Sequence, residues 1–148
     1  MRYKEKSRKE KYGAGSTYKR RSKREVGTKG EKFAGQYLQE LGYEILEYNY
    51  RCKKGEIDLI ARDGDCLVFC EVKYRKDLGS GNPLEAVDIY KQRTLSSCAL
   101  YYLMEHSLMD TACRFDVIGI EGENEKLWEE EPKDVKVTLV RNAFDYVG

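Results

Sequence analysis

The sequence predicts an α/β domain in which helices and a β-sheet form layers around one core. Segments with helical and with strand periodicity follow one another in the order α-β-β-β-α-β-β, and strands bracketed by helices are typical of this class. The chain has 148 residues, of which 41% are hydrophobic, so it is long enough to bury the core of one domain. We therefore expect a single folded unit.

The first helix is predicted to begin at Thr28, in a capping box that Glu31 completes three residues later. Apolar residues recur at helical spacing through residues 33–41, and Gly42 provides a C-terminal stop. The first strand is predicted at Tyr43–Tyr50.

A β-hairpin is predicted from two apolar runs, Glu56–Ala61 and Cys66–Tyr74, that are separated by an Asp-Gly pair. If residues 63–64 form a two-residue turn, or residues 62–65 a four-residue loop, the numbers of facing residues add up to 127. Asp58 is then a diagonal neighbour of Glu71. The predicted polar face carries Glu56, Asp58, Glu71 and Lys73, and the opposite, apolar face carries Ile57, Leu59, Val68, Cys70 and Val72.

The second half of the chain continues with one helix and two strands. Their bounds follow from apolar periodicity and from clusters of glycine, serine, asparagine, proline or acidic residues between them. We expect a mobile loop at Asp77–Pro83, a helix at Leu84–Met104 with a break near Asp88, strands at Arg114–Ile120 and Val135–Val140, and a solvated acidic connection at Glu121–Asp134.

The composition excludes several classes of protein and site. No apolar stretch approaches the roughly 18 residues of a membrane span, and the first residues lack the apolar segment of a signal peptide, so we expect a cytoplasmic protein without membrane association. The five cysteines show no CxxC spacing, which argues against a zinc ribbon, and their odd number argues against a disulfide framework. His106 is the only histidine, so a metal ion would have to bind carboxylates.

The charge is divided unevenly along the chain. Residues 1–30 contain twelve Lys and Arg against three acids, a net charge of +9, whereas residues 31–148 have fifteen against twenty-three, a net charge of −8. We predict that residues 1–26 are a disordered basic arm and that residues 27–148 form the folded domain. Such an arm favours contact with phosphate groups, although a solubilising tail or an expression remnant has the same composition.

The predicted polar face of the hairpin has the residue types of a metal-dependent hydrolase. Carboxylates crowded on a largely buried sheet repel one another, so a cation must lie among them, either Lys73, Arg51 or Lys91, or a divalent metal ion. Oxygen ligands favour Mg²⁺ or Mn²⁺. With the ion held by Asp58 and Glu71, Lys73 would orient water or stabilise the developing charge, as phosphodiester hydrolysis requires.

Two acidic residues have alternative interpretations. Glu31 either caps the first helix together with Thr28 or points toward the sheet and joins the site. Glu56 either contributes to the site or pairs with Arg51 or Lys54 at the start of its strand.

Basic and aromatic residues could contact a nucleic-acid backbone and its bases. Tyr101 and Tyr102 are at helical spacing from apolar residues, so we expect them in the core rather than in a stacking platform. The candidate nucleic-acid-binding residues are Arg51, Lys53, Lys54, Arg75, Lys76 and Lys91.

Several motifs in this chain match those of a known family. They are the run Arg51–Arg62 (RCKKGEIDLIAR), the run Leu67–Lys73 (LVFCEVK), Gly30-Glu31, and Arg114–Val117 (RFDV). On these motifs the chain resembles the uncharacterised bacterial YraN-type family of predicted endonucleases, over nearly the whole body from about residue 27 to residue 144.

The resemblance implies a restriction-endonuclease-like fold of the PD-(D/E)xK superfamily, with a mixed β-sheet flanked by helices. By motif position, Glu31, Asp58, Glu71 and Lys73 would form the metal and catalytic set, with Ile57 where the superfamily name has proline. The fold is similar to that of archaeal Holliday-junction resolvases, which act as dimers on two-fold substrates, so a homodimer is also suggested.

The first hypothesis is therefore a Mg²⁺- or Mn²⁺-dependent endonuclease that acts on structured or branched DNA. The alternative is a module of the same fold that binds nucleic acid or a protein partner without catalysis. A third hypothesis is an accessory protein that docks through the acidic stretch Glu121–Asp134.

Overall fold

The computed structural model describes residues 21–75, 87–122 and 135–148, which form seven regular elements. Their order is α-β-β-β-α-β-β, as predicted. The elements are α1 (Arg21–Glu40), β1 (Glu44–Cys52), β2 (Gly55–Asp63), β3 (Cys66–Arg75), α2 (Ile89–Glu105), β4 (Cys113–Glu121) and β5 (Lys136–Phe144).

The five strands form one mixed sheet in the order β1-β2-β3-β4-β5. Strands β3 and β4 are parallel and the other pairs are antiparallel, so α2 belongs to the crossover between the two parallel strands. Alternate residues of β3 enter two separate cores: Val68 packs with residues of α1, and Phe69 packs with residues of α2. The sheet is therefore covered by one helix on each face, which confirms the predicted α/β class and is consistent with a restriction-endonuclease-like fold. Among the residues described, no helix has the length and apolar character needed to cross a membrane.

Helix α1 begins at Arg21, seven residues before the predicted N-cap. The capping box is therefore wrong, because Thr28 and Glu31 both lie inside the helix, where Thr28 cannot serve as an N-cap. Lysine, arginine and glutamate precede Thr28 and are good helix formers, so a short capping signal does not stop the helix from extending backward. The helix also extends across residue 26, where the predicted basic arm ends. Residues 1–20 of that arm lie outside the described part of the chain.

The end of α1 agrees with the prediction. Gly42 has φ +96°, a left-handed conformation that glycine adopts without steric cost. The amides of Gly42 and Tyr43 donate to the carbonyls of Gln39 and Leu38 at 2.9 and 3.0 Å, as in a Schellman motif. The chain then turns directly into β1.

The predicted register of the β2–β3 hairpin is wrong by two residues. Asp63 pairs with Cys66 and Leu59 pairs with Cys70, so facing residue numbers add up to 129. The turn consists of Gly64 and Asp65, with φ +60° at Gly64, as in a type II′ turn. A shift of two residues preserves the face on which each paired side chain lies. The pairing ends at Leu59 and Cys70, so Asp58 and Glu71 lie just beyond the last pair.

The alternation of faces is interrupted at Asn49. This residue has φ +53°, and the two tyrosines that flank it pack in different cores, Tyr48 on the α1 side and Tyr50 on the α2 side. The residues of β2 that pair with these tyrosines lie on the same two sides, Leu59 on the α1 side and Ile57 on the α2 side. The prediction that Ile57 and Leu59 share one face is therefore wrong, because a left-handed residue reverses the strand alternation locally.

The second half of the fold follows the predicted order with different bounds. The break expected near Asp88 is the start of α2, where the Asp88 carboxylate caps the helix by accepting from the Lys91 amide at 2.9 Å. Glu121, predicted at the start of a solvated connection, is instead the buried last residue of β4. The predicted mobile loop and residues 123–134 of the acidic connection lie outside the described residues.

Candidate active site

A cluster of acidic and basic side chains lies where the beginning of α2 approaches β2 and β3. Its members come from distant parts of the chain: Asp58 from β2, Glu71 and Lys73 from β3, and Lys91 from α2. The structure thus brings together the predicted aspartate with the predicted Glu-x-Lys pair, and adds a lysine from the helix.

Glu71 is the centre of this cluster. Only 4% of its surface is exposed, and its Oε2 lies 3.4 Å from Lys73 Nζ and 3.5 Å from Lys91 Nζ. The other oxygen, Oε1, is buried and has no hydrogen-bond partner among the described residues. A buried carboxylate oxygen without a partner is costly, so this atom needs a further donor or a cation.

Asp58 is held beside Glu71 by the backbone of β3. Its Oδ2 accepts a hydrogen bond from the Val72 amide at 2.8 Å, in place of a strand carbonyl. The pKa of Asp58 is well above the usual range of a carboxyl group. Burial is the largest cause of this rise, and the charge of Glu71 is the next. A proton on Asp58 or an external cation would therefore relieve the repulsion between the two carboxyl groups.

Glu31 belongs to the same electrostatic cluster. Its side chain is 8% exposed, and its Oε1 accepts a hydrogen bond from Asn49 Nδ2 at 2.6 Å. Burial raises the pKa of Glu31 to about 7, the bond from Asn49 opposes this rise, and the charges of Glu56 and Glu71 add to it. Of the two interpretations of Glu31, the structure supports a position facing the site over a capping role.

Asn49 is the functional candidate that sequence reasoning missed. Its left-handed backbone reverses the alternation of β1, and its side chain holds Glu31. The available signal was an asparagine between two tyrosines within a strand, because asparagine tolerates positive φ far better than β-branched residues do.

Glu56 is the predicted member of the polar face that does not join the cluster. It is exposed, and its Oε2 accepts from Arg51 Nε at 3.2 Å. The alternative prediction, a pair at the edge of the strand, is therefore confirmed for Arg51. The negative charge of Glu56 still contributes to the raised pKa of Glu31.

The six basic candidates for nucleic-acid contact are not in one place. Lys91 reaches the carboxylate cluster, whereas Arg51, Lys53 and Lys54 are exposed around the β1–β2 turn. Arg75 is half-buried at the end of β3, and Lys76 lies outside the described residues.

An open cleft of about 460 Å³ lies beside the β1–β2 turn, between it and the second half of α2. Arg51, Lys53 and Tyr101 are among its lining residues. Tyr102, in contrast, is 1% exposed and packs edge-on against Tyr50 in the core. The core prediction is therefore confirmed for Tyr102, while Tyr101 is half-buried at the cleft.

The residues of the cluster fit a hard divalent cation. Within residues 21–75, 87–122 and 135–148, no three Asp, Glu, His or Cys side chains already converge on one metal position. Mg²⁺, however, commonly uses one or two carboxylates and keeps several water ligands. The pair of Asp58 and Glu71, with the unpartnered Oε1 of Glu71, meets that requirement.

A second polar network lies around Asp116, which is on the strand next to that of Glu71 and pairs with Cys70. Arg114 donates to Asp116 Oδ1 at 3.0 Å and to Asp63 Oδ2 at 3.0 Å, and the Tyr43 hydroxyl donates to Asp116 Oδ2 at 3.2 Å. The amide of Asn142 also donates to Asp116, at 2.9 Å. Each oxygen of this buried aspartate has a partner, which indicates a structural role.

Comparison with known proteins identifies relatives along most of the chain. A model of the uncharacterised protein family UPF0102 matches residues 30–120, which include all the predicted catalytic residues. A UPF0102 protein of Lachnoclostridium phytofermentans is 43% identical over 128 residues, 86% of this chain and 98% of that protein. A UPF0102 protein of Pseudomonas syringae pv. tomato is 40% identical over 127 residues (85% and 97%), and one of Geotalea daltonii is 52% identical over 95 residues (64% and 75%). These names state a family and no activity.

Proposed function

We propose that this chain, which belongs to the uncharacterised protein family UPF0102, is a Mg²⁺- or Mn²⁺-dependent endonuclease that hydrolyses phosphodiester bonds in structured or branched DNA. The family match agrees with the resemblance to the YraN-type family at the level of the family. The observation that carries the proposal is the buried, unpartnered Oε1 of Glu71, beside Asp58 and between two lysines. The resemblance of the motifs to PD-(D/E)xK nucleases supports the same chemistry.

The carboxylates would bind the metal ion, and the lysines would bind the phosphate. Asp58 and Glu71 supply the two acidic ligands, and a bound ion would polarise the phosphodiester and lower the pKa of a water molecule. Lys73 and Lys91 approach the same Glu71 oxygen from a strand and from a helix. Their ammonium groups are thus placed to stabilise negative charge on the phosphate oxygens in the transition state.

Glu31 is the auxiliary acid of the proposed site. With its pKa raised to about 7, its carboxyl group can both accept and release a proton near neutral pH. Asn49 fixes the orientation of this carboxyl group through the hydrogen bond at 2.6 Å. Glu31 would therefore exchange a proton with attacking water or with the leaving oxygen.

Cleavage of a labelled panel tests the proposal. Single-stranded, duplex, flap and four-way-junction DNA, and RNA, are incubated with Mn²⁺ or Mg²⁺ and with wild type, Asp58→Ala, Lys73→Ala or Glu56→Gln. We expect wild type and Glu56→Gln to cut branched DNA, and both alanine variants to lose at least about a hundredfold in rate, as removal of a catalytic group does. Glu56→Gln is the matched control, because it removes an exposed carboxylate of the same strand.

Equal cutting by all four proteins would identify a contaminating nuclease and contradict the proposal. Preferential cutting of RNA would support the proposed catalytic residues and contradict the proposed DNA substrate.

One observation favours the non-catalytic alternative. Glu71 is already contacted by Lys73 and Lys91, so its charge is balanced without a metal ion. A binding module of this kind would bind nucleic acid without Mg²⁺ or Mn²⁺, and its affinity would survive Asp58→Ala. Absence of cutting by all the proteins, together with equal binding, would therefore favour it. The homodimer suggested by the resemblance stays a prediction.

A further inference from the structure

Two cysteine sulfurs are in contact away from the carboxylate cluster. Cys52 Sγ, at the end of β1, lies 3.4 Å from Cys98 Sγ in α2. All five cysteines are free thiols, and this pair is joined by a sulfur–sulfur hydrogen bond. The sulfurs are thus within a small side-chain movement of the bonding distance of a disulfide, about 2.05 Å.

The backbone keeps the two sulfurs together. Cys52 pairs with Gly55 across the β1–β2 turn, and Gly55 lies directly on α2. A Cβ atom at Gly55 would be 2.7 Å from Thr94 Cγ2 and 3.6 Å from Cys98 Sγ, and φ is +148° at this position. Only glycine permits so close an approach of the turn to the helix, so the distance between the cysteines follows from packing.

The two thiols differ in access to solvent. Cys98 is fully buried, whereas Cys52 is half-buried and lines the open cleft of about 460 Å³. Burial, followed by the contact with Cys52, raises the pKa of the Cys98 thiol. A reagent from solvent therefore meets Cys52 first, with Cys98 as a protonated neighbour behind it.

We propose that Cys52 and Cys98 form a redox-modification site, in which a low-molecular-weight disulfide oxidises the pair to an intramolecular disulfide that ties the β1–β2 turn to α2. The Cys52 thiolate attacks one sulfur of the reagent, breaks its S–S bond and expels one thiolate. Cys98 then loses its proton to water and attacks Cys52 Sγ, which breaks the mixed disulfide and expels the second thiolate. Two protein thiols are oxidised and one reagent disulfide is reduced.

This inference is independent of the proposed nuclease activity. It has a structural consequence, however, because the turn carries Lys53 and Lys54 and leads into β2 three residues before Asp58. In the oxidised form, these exposed cations are held against the same helix that supplies Lys91.

The other cysteines define the control. Cys113 is exposed and lies on the strand next to that of Cys66, whereas Cys70 is fully buried. The experiment therefore uses the double variant Cys66→Ser/Cys113→Ser, in which Cys52 is the accessible thiol that remains. A third substitution, Cys98→Ser, removes the resolving thiol and leaves the first step intact.

The test treats each protein with glutathione disulfide and measures its intact mass. The double variant is expected to lose two hydrogen atoms, and dithiothreitol restores its mass. The triple variant is expected to gain one glutathione on Cys52. A stable glutathione adduct on the double variant, or no reaction at Cys52, would overturn the proposal. Should the variants not fold, peptide mapping of oxidised wild type decides the question: linked Cys52 and Cys98 peptides support the site, and linkage elsewhere contradicts it.

Discussion

Glu71 and Asp116 are buried carboxylates on neighbouring parallel strands, and they differ in how their oxygens are satisfied. Asp116 on β4 is 1% exposed and Glu71 on β3 is 4% exposed. Arg114, the Tyr43 hydroxyl and the Asn142 amide donate to the two oxygens of Asp116 at 2.9 to 3.2 Å. Glu71 has two lysines at 3.4 and 3.5 Å on one oxygen and no partner for the other.

The difference indicates which of the two carboxylates could bind a ligand. A planar guanidinium and a backbone amide hold Asp116 in one geometry, which leaves no free valence for a ligand. The flexible ammonium groups around Glu71 can move to a phosphate when a cation takes their place. Similar burial thus serves structure at Asp116 on β4 and a candidate site at Glu71 on β3.

The largest effect on stability is expected from Asp116→Asn. The amide nitrogen would face existing donors, and Arg114 would lose its buried anionic partner, so the free energy of unfolding should fall by about 3 kcal/mol. Urea denaturation measures the change, with Asp65→Asn in the exposed β2–β3 turn as control. An unchanged midpoint for Asp116→Asn would remove the contrast between the two carboxylates.

The same substitution at Asp58 is expected to have the opposite sign. Asp58→Asn removes a buried charge beside Glu71, so the free energy of unfolding at pH 8 should rise by about 1 kcal/mol, while metal-dependent cleavage is lost. The two asparagine variants are compared under identical urea conditions. Destabilisation of both by similar amounts would show that Asp58 is as fully satisfied as Asp116.

The stability of the protein is expected to depend on pH through the acidic groups of the candidate site. Burial raises the pKa of Glu31 from 4.5 to about 7 and also raises that of Asp58, so the folded protein keeps protons that the unfolded chain releases. The contribution of these groups is complete below about pH 4.5 and is lost as pH rises through about 7. Without metal ions, the melting temperature should therefore fall between about pH 5 and pH 8, by several degrees for each kcal/mol lost.

A bound cation should reverse this loss. Mg²⁺ or Mn²⁺ binds the ionised carboxylates, so either is expected to raise the melting temperature more at pH 8 than at pH 5. Asp58→Asn serves as the control and should not respond. An equal increase in both proteins would mean that the cation binds away from Asp58.

A loss of stability smaller than that of Asp116→Asn is expected at Asn49. Asn49→Gly keeps the left-handed backbone and removes the bond to Glu31, at a cost of about 1 kcal/mol, whereas Asn49→Ala also strains the backbone and costs about 2 kcal/mol. Both variants should raise the pKa of Glu31 further, because that bond opposes its rise. Carboxyl NMR titration measures the pKa, and an unchanged value would contradict the positioning role of Asn49.

Much of the candidate site could be predicted despite an incorrect register. The prediction that Asp58 and Glu71 share a face depends only on whether the numbers of facing residues add up to an odd number. The shift from 127 to 129 keeps that parity along the paired residues, which end at Leu59 and Cys70. Asp58 still meets β3 next to Glu71, through the Val72 amide. The turn residues could not be predicted, because Asp63-Gly64 and Gly64-Asp65 both satisfy the composition of a two-residue hairpin turn.

Other features depend on contacts that local sequence does not report. The capping box at Thr28 failed because helix propensity upstream extended α1. The reversal at Asn49 could not be predicted from the alternation of β1, because one left-handed residue moves the side chains that follow it to the other face of the sheet. The Arg114 network joins residues from β2, β4 and β5 with Tyr43, which directly precedes β1, and only the assembled sheet brings them together.

The order of elements, the α/β class and the residue types of the candidate site follow from the amino-acid sequence, because periodicity, turn residues and strand parity are local properties. The donors that reach each buried carboxylate depend instead on tertiary packing. Lys91 contacts Glu71 because α2 packs across the sheet, and Asp116 is saturated because separate strands converge on it. The energy of a buried charge depends on its neighbours in space, so the distinction between a structural carboxylate and a candidate ligand first arises in the folded protein.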